Sequence, residues 1–466
     1  MKWLALILSL SLLVMTHELG HLGFAKLFRT RVRRYYIFFN WKFSILKAKK
    51  FGGKWHFLFF NSKTPDSWNE ENLAPEDQNN TLWGLGWIPL GGYCDIAGMI
   101  DETKSAEDLQ SEPQPWEYRT KPAWQRLCII SGGVLVNFLS AMFLFSVIFS
   151  HWGKDELPLR NATLGYDYHQ VLLDEGFHNG DIVYAIDGRE VYDFSDASKA
   201  LLLDDPRQVT LMRGDSLIDI SMSGKLLERV NAEHVKSLMQ PRMPFVVKDF
   251  VAGSPAHRAG MMAGDSVVSV DGVPMSAHSD ITMALRAHAD STVLLGFYRE
   301  GNYDTLTVPV NSNGQLGVQL ESDLSLLFEV KHIDYTFWQA IPAGISHGWQ
   351  TLVEYVSSLK VLFAPGGIQN LGGFGTMSSI FPDHWNWQAF WTITALLALI
   401  LAFMNIIPIP GLDGGHILFT LWEMVTGRKP SDKFLSAAQN VGMILLLALM
   451  VLANGNDLWR WLSGMF

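Results

Sequence analysis

A chain of 466 residues, 48% hydrophobic and 18% charged, is too apolar on average for a purely soluble protein and long enough for about three domains of ordinary size. Its formal net charge of -10 gives no reason to expect nucleic acid as a partner. Two cysteines, Cys94 and Cys128, make no disulfide framework.

The apolar residues are concentrated in runs near 3–25, 127–149, 387–408 and 436–453, each approaching the ~20 residues that a spanning helix needs. Four transmembrane helices are expected. The last rests on an apolar core from Val441 to Ala453 that has to be extended by Ala437 or by Leu458 and Trp459. Lys26, Arg29, Arg31, Arg33 and Arg34 crowd the end of the first run, and Arg428, Lys429 and Lys433 follow the third, whereas Lys154 after the second is offset by Asp155 and Glu156. The positive-inside rule then makes the 26–126 and 409–435 loops cytoplasmic and puts 150–386 outside. Lys2 before an apolar stretch resembles the start of a secretory signal, but no small-x-small cleavage site follows, so this segment is expected to be retained.

The first run contains Thr16-His17-Glu18-Leu19-Gly20-His21. On a helix, His17 and His21 share one face and can hold one metal ion, and Glu18 is placed to take a proton from water without being a ligand. Chance, or a pair of hydrogen-bonded core histidines, would give the same letters. Three ionisable groups inside an apolar run each cost at least ~2.5 kcal/mol, which favours a zinc site.

Residues 31–60 carry aromatic runs, Tyr35 to Phe39 and Trp55 to Phe60, with Gly52-Gly53 between them as a hairpin signal. Residues 61–80, polar with Pro65 and Pro75, read as a loop or partly disordered excursion. Gly86 to Cys94 reads as a short strand broken by Gly91-Gly92, ahead of an acidic linker from Asp101 to Glu117. This β element is either an edge for an unfolded substrate segment or a structural lid over the helices. In the second run, Gly132-Gly133 permits close helix approach, and Asn137 needs a partner, as helix glue or as support for a site.

The middle of the chain holds a repeat. Gly180-Asp181-Ile182-Val183-Tyr184-Ala185-Ile186-Asp187-Gly188 aligns without gaps to Gly264-Asp265-Ser266-Val267-Val268-Ser269-Val270-Asp271-Gly272, an offset of 84 (264 minus 180). Gly-Asp turning into a strand that ends in Asp-Gly implies two small β-rich domains. With Gly253-Ser254-Pro255-Ala256 and Ala259-Gly260, the second copy resembles a PDZ domain of the bacterial protease type. The first has Glu175-Gly176 in place of the Ser-Pro-Ala stretch. Such domains bind peptide ends or act as spacers. Further on, Phe337, Ile341, Ile345, Trp349, Leu352, Val356, Leu359 and Phe363 form one helical face, for the membrane surface or for core packing, and Gly366-Gly367 and 371–375 form a flexible connection.

A catalytic zinc takes three protein ligands and leaves a position open. The third run ends in Asn405-Ile406-Ile407-Pro408-Ile409-Pro410-Gly411-Leu412-Asp413-Gly414-Gly415-His416, where two prolines break the helix. Asp413, expected on an irregular segment at the cytoplasmic end, can meet His21. His416 competes by chemistry.

Taken together, His-Glu-x-x-His, Pro-Leu-Gly-Gly-Tyr, Gly-x-x-x-Asn, the tandem PDZ-like repeats and Asn-x-x-Pro-x-Pro-x-Leu-Asp-Gly resemble the site-2 protease family of intramembrane zinc metalloproteases over nearly the whole chain. The resemblance implies Zn2+ held by His17, His21 and Asp413, Glu18 as general base, and Asn405, Pro408 and Pro410 shaping the substrate site, with Asn137, Gly91 and Gly92 beside it. Ile400 stands where relatives often carry a second Asn.

The expected architecture is a polytopic α-helical membrane protein of the bacterial inner membrane. Its transmembrane helices are 1–25, 127–150, 387–413 and 436–457, with a cytoplasmic loop bearing membrane-associated β hairpins at 26–126. PDZ-like domains occupy 155–240 and 241–330 on the periplasmic side, and 335–386 is an amphipathic helix and connection. The implied activity is cleavage of single-span membrane proteins within the lipid bilayer, such as an anti-sigma factor already trimmed by another protease, or signal-peptide remnants. A membrane-anchored zinc protease acting on soluble or misfolded proteins, and a catalytically idle PDZ scaffold, are the alternatives.

Overall fold

The computed structural model describes residues 1–99, 112–233, 235, 237–251, 253–359 and 371–462. Most of the acidic linker, Phe363 and the Gly366-Gly367 pair lie outside the described residues. The chain divides into two compact units, Met1–Gly153 with Asp334–Val356 and Leu371–Phe466, and Lys154–Ile333 with Ser357–Asn370.

The first unit starts with α1 (Lys2–Leu27), followed by β1 (Val32–Phe39), β2 (Ser44–Phe51), β3 (Lys54–Asn61), β4 (Leu82–Leu85), β5 (Ile88–Ile96) and α2 (Ala123–Trp152). It is completed by α3 (Phe337–Ser358), α4 (Phe374–Ser379), α5 (Trp387–Ile406), α6 (Asp413–Thr426) and α7 (Asp432–Leu462). Among the described residues, α1, α2, α5 and α7 from Lys433 onward are long and apolar enough to cross a membrane. Leu6, Leu13, Ala141, Phe145, Ala398 and Leu399 join α1, α2 and α5 in one buried cluster.

Apolar side chains gain little from leaving lipid, so helices associate where small residues let backbones meet. A Cβ added to Gly20 would stand 2.2 Å from the Gly132 carbonyl oxygen. α7 is looser: 6% of its apolar window is buried, against 39–44% for the other three, which leaves most of its surface to lipid. It meets the rest closely at Gly442, where a Cβ would be 1.4 Å from the Pro410 carbonyl oxygen, and near its far end at Asp457, which accepts from Gly373 and Thr376.

The sheet runs β3-β2-β4-β1-β5. Gly52 (φ 57) and Gly53 (φ 74) make the expected tight turn, but the hairpin's first arm is β2; the Tyr35–Phe39 run in β1 pairs instead with β4 and β5. Residues 61–80 are ordered where disorder was one expectation. Trp68 and Leu73 are buried, Trp68 packs on Phe51, and the Trp68 carbonyl accepts from Lys49 Nζ at 2.9 Å.

Of the two expectations for the apolar face of α3, core packing is not what the structure shows. The buried residues of this helix are Ala340, Gly344 and Gly348, set against Ser146, Met142 and Phe145 of α2, while Phe337, Ile345, Trp349 and Val356 of the predicted face are exposed. A soluble helix would bury its large apolar side chains, whereas this one buries its small ones, the arrangement suited to helices in lipid.

The second unit holds both repeats. The aligned strands are Ile182–Ile186 and Ser266–Val270, and the aligned helices are Phe194–Leu203 and His278–Ala287. Asp187 (φ 46) with Gly188 (φ 77), and Asp271 (φ 49) with Gly272 (φ 77), form the matching turns. The repeated Gly-Asp has a cause that the letters did not disclose. Asp181 and Asp265 are buried, pair with Arg213 and Arg299, and accept the backbone N–H of His178 and Met262. Between the repeats, buried Arg242 reaches Asp167 of the first and Asp280 of the second.

Candidate metal centre

One helical turn separates His17 from His21 on α1, and their rings stand edge to face with centroids 4.7 Å apart. Their Nε2 atoms are 3.1 Å from one another, and Asp413 Oδ2 lies 3.1 Å from that of His17 and 3.4 Å from that of His21. Asp413 is the first residue of α6 and not part of an irregular segment as expected. The break is confined to residues 407–412, where Pro408 and Pro410 supply no N–H and Gly411 takes φ 96. A new helix then restarts on an acidic residue at its positive end. The stretch 409–435, read as a loop, thus carries α6, whose Leu418, Leu421, Trp422 and Val425 form an exposed apolar face.

Backbone and side-chain partners fix the rings. His21 Nδ1 lies 3.0 Å from the Ile129 carbonyl oxygen, which can only accept, so Nδ1 carries a hydrogen and Nε2 is the nitrogen turned toward Asp413. Asn137 of α2 is fully buried, 3.4 Å from His17 Nδ1 through its Nδ2 and 3.0 Å from Thr16 Oγ1 through its Oδ1. Asn137 therefore meets the site and is not merely helix glue. Asp413 Oδ2 is buried without an aligned hydrogen bond. Two imidazole nitrogens and a carboxylate oxygen thus converge within 3.4 Å of one another, a donor set that can hold a cation. Two nitrogens and an oxygen with a further position open fit zinc.

Glu18 is half-buried beside this cluster, with the backbone N–H of Cys94 in β5 near its carboxylate. Tyr35 of β1 donates to the Met15 carbonyl at 3.0 Å, tying the sheet to α1 just before the histidines. Asn405 is buried in the last turn of α5, ahead of Pro408 and Pro410. Gly91 and Gly92 lie in β5, where a Cβ on Gly92 would stand 2.4 Å from the Tyr36 carbonyl oxygen. His416 turns away, its Nε2 3.0 Å from Gln439 Nε2 of α7, and is outside the cluster. Sequence reasoning did not find the Ile129 carbonyl or the Cys94 N–H, because backbone groups leave no mark in side-chain spacing.

The chain matches Peptidase family M50 over residues 70–449, a stretch that includes β5 and Asp413 and begins after His17 and His21. Full-length relatives cover the first helix as well. The chain is 28% identical to the regulator of sigma-E protease RseP of Salmonella typhimurium, over 98% of each chain. It is 27% identical to that of Escherichia coli, over 97% of each, and 25% identical to a Ralstonia nicotianae protein named as a zinc metalloprotease, over 98% of each. The molecule is a zinc-dependent metalloprotease, and among its described residues four helices are long and apolar enough to cross a membrane. It belongs to peptidase family M50, the site-2 proteases.

Proposed function

We propose that this protease cuts single-span membrane proteins inside their transmembrane segment, with zinc held by His17, His21 and Asp413 and with Glu18 as the base. The observation that carries the reading is the position of the donor cluster within α1 and at the broken end of α5, helices otherwise made for lipid. Bound zinc supplies the Lewis acidity that makes a water nucleophilic near neutral pH. Glu18 takes that water's proton and passes it to the leaving amine, while the Cys94 N–H keeps the carboxylate oriented. Ile129 and Asn137 hold the two imidazoles in place.

A transmembrane substrate hides its amides in helical hydrogen bonds and has to be unwound before attack. β5 is an edge strand of the sheet and lies along α1 beside Glu18, so a substrate segment added to it would keep its backbone satisfied while extended. Asn405, Pro408 and Pro410, with Gly91 and Gly92, shape the other walls. The PDZ-like modules stand on the periplasmic side of the inner membrane and exclude substrates with bulky outer domains, so that an anti-sigma factor is admitted once another protease has trimmed it.

The test is cleavage of a synthetic single-span substrate in proteoliposomes, with metal content measured alongside. Glu18→Gln protein should retain zinc and lose turnover by at least about a thousandfold. Near-normal cleavage by that variant would remove Glu18 from the mechanism, and cleavage confined to soluble substrates would reject the intramembrane reading.

A further inference from the structure

β5 has one side paired to β1 and the other turned to α1, and two of its backbone groups on the α1 side are already held. Ser11 Oγ, buried on α1, lies 2.9 Å from the Pro89 carbonyl oxygen, and the Cys94 N–H faces the Glu18 carboxylate. Ser11 Oγ is also 2.6 Å from the carbonyl of Ile7, so one hydroxyl proton bridges both oxygens. Ile7 is also within reach of the helical N–H of residue 11, whereas Pro89 is outside the helix.

The spacing of these two pins is informative. Ser11 and Glu18 are seven residues apart on a helix, about 10.5 Å. Pro89 and Cys94 are five residues apart on a strand, about 17 Å if extended. A bulge absorbs the excess: between two paired positions β5 advances four residues (92 minus 88) while β1 advances two (39 minus 37). Ser11 thus draws the bulged Pro89–Gly91 segment onto α1.

Strand alternation then locates the open part of the edge. Cys94 N–H points away from β1, so the N–H and carbonyl of Gly92, two residues earlier, point the same way. The Ile37 carbonyl, opposite Gly92, accepts from the Gly86 N–H on the far side of β1, which agrees: the Ile37–Gly92 pair is not hydrogen-bonded between β1 and β5. Between the two pins, Gly92 offers the pairing groups, and it is partly exposed.

We propose that Ser11 is a positioning residue that fixes the register of the substrate strand, by keeping the Pro89 carbonyl occupied so that pairing is centred on Gly92, beside Glu18. This rests on the reading of β5 as the docking edge. Without the Ser11 hydroxyl, the Pro89 carbonyl becomes an acceptor for a substrate N–H and the added strand can slide. A slip by two residues keeps the same side chains facing the enzyme, so two is the expected step.

Ser11→Val and Ser11→Thr differ in one hydroxyl and bracket the test. Each is reconstituted with a synthetic single-span substrate of defined sequence, products are mapped by mass spectrometry, and zinc content is measured on the same preparations. Ser11→Val should produce a second cut two residues from the main one, with preference for the main site reduced about fivefold, the effect of one lost hydrogen bond on an equilibrium. Ser11→Thr should restore the single cut, with zinc equal in all three proteins. An unchanged product map in Ser11→Val, or a slower cut at the unshifted bond alone, overturns the assignment. A substrate series with proline placed one residue at a time separates the two levels of the argument. If no proline position blocks cleavage by the unaltered protein, edge pairing itself is wrong.

Discussion

Gly133 of α2 and His21 of α1 are so close that a Cβ on residue 133 would stand 2.6 Å from the histidine's Nε2, and as close to Cε1 of His17. Nε2 is the atom turned toward Asp413, so any bulk at position 133 intrudes on the space in which the three donors meet.

Gly133→Ala should therefore act on the metal as well as on packing. The forced shift of a helix or ring should cost about 1–3 kcal/mol of stability and lower zinc affinity by about 10–100-fold. Competition with a chromophoric chelator measures the second quantity, and unaltered affinity would mean that the rings can move aside without loss.

The donor set is tested by metal content. His17→Ala, His21→Ala and Asp413→Asn should each purify with little zinc, while His416→Ala, whose ring faces Gln439, should remain near one ion per chain. Normal zinc in Asp413→Asn with depletion in His416→Ala would exchange the two assignments.

Arg242 supplies a prediction for the second unit. Arg242 is buried while Asp167 and Asp280 are part-exposed, so its loss should cost about 1–3 kcal/mol, the scale for hydrogen bonds to charged groups. Arg242→Ala should lower the thermal midpoint and loosen the two repeats relative to each other, read as added proteolysis around residues 239–245. Arg242→Lys should not rescue, because a single ammonium cannot present two diverging N–H pairs.

Much of this was legible in the letters, and the limit has a physical cause. His-Glu-x-x-His, the Asp-Gly turns and the double-proline break each constrain backbone geometry or donor chemistry locally, and each was found at its place. The face of α3 stayed open between membrane surface and core because periodicity reports which residues are apolar, not which are buried. The Arg213–Asp181 and Arg299–Asp265 pairs were missed because their partners lie more than thirty residues apart in sequence (213 minus 181, 299 minus 265). α6 was hidden behind Pro408 and Pro410, which mark where a helix ends but not where the next begins.

Excision tests the gating role of the second unit. Its first and last strands, Lys154–Glu156 and Lys331–Ile333, pair antiparallel, so the two ends of the unit are already side by side. Joining Glu156 to Lys331 through Asn-Gly, a sequence that favours a tight turn, should leave the first unit inserted and zinc-loaded. Such a protein should cleave a trimmed single-span substrate at a rate within about twofold of the full chain and should also accept one with a folded outer domain. Loss of cleavage of the trimmed substrate, with zinc still bound, would instead assign the unit a part in substrate delivery.

The placement of Asp413 on α6 also bears on how the molecule is made. His17 and His21 leave the ribosome early, and 391 further residues (412 minus 21) are translated before the aspartate is added. At roughly 5–20 residues per second that interval lasts about 20–80 s. Throughout it, the nascent helix lies in a membrane crowded with single-span proteins, carrying two imidazoles and a carboxylic acid but no complete donor set. With Asp413 as the third ligand, hydrolysis cannot begin until the third membrane helix has been inserted and its broken end has folded back against α1. On the proposed ligand set, the order of synthesis serves as a safety catch: a chain truncated before Asp413 would carry the His-Glu-x-x-His motif and an incomplete donor set.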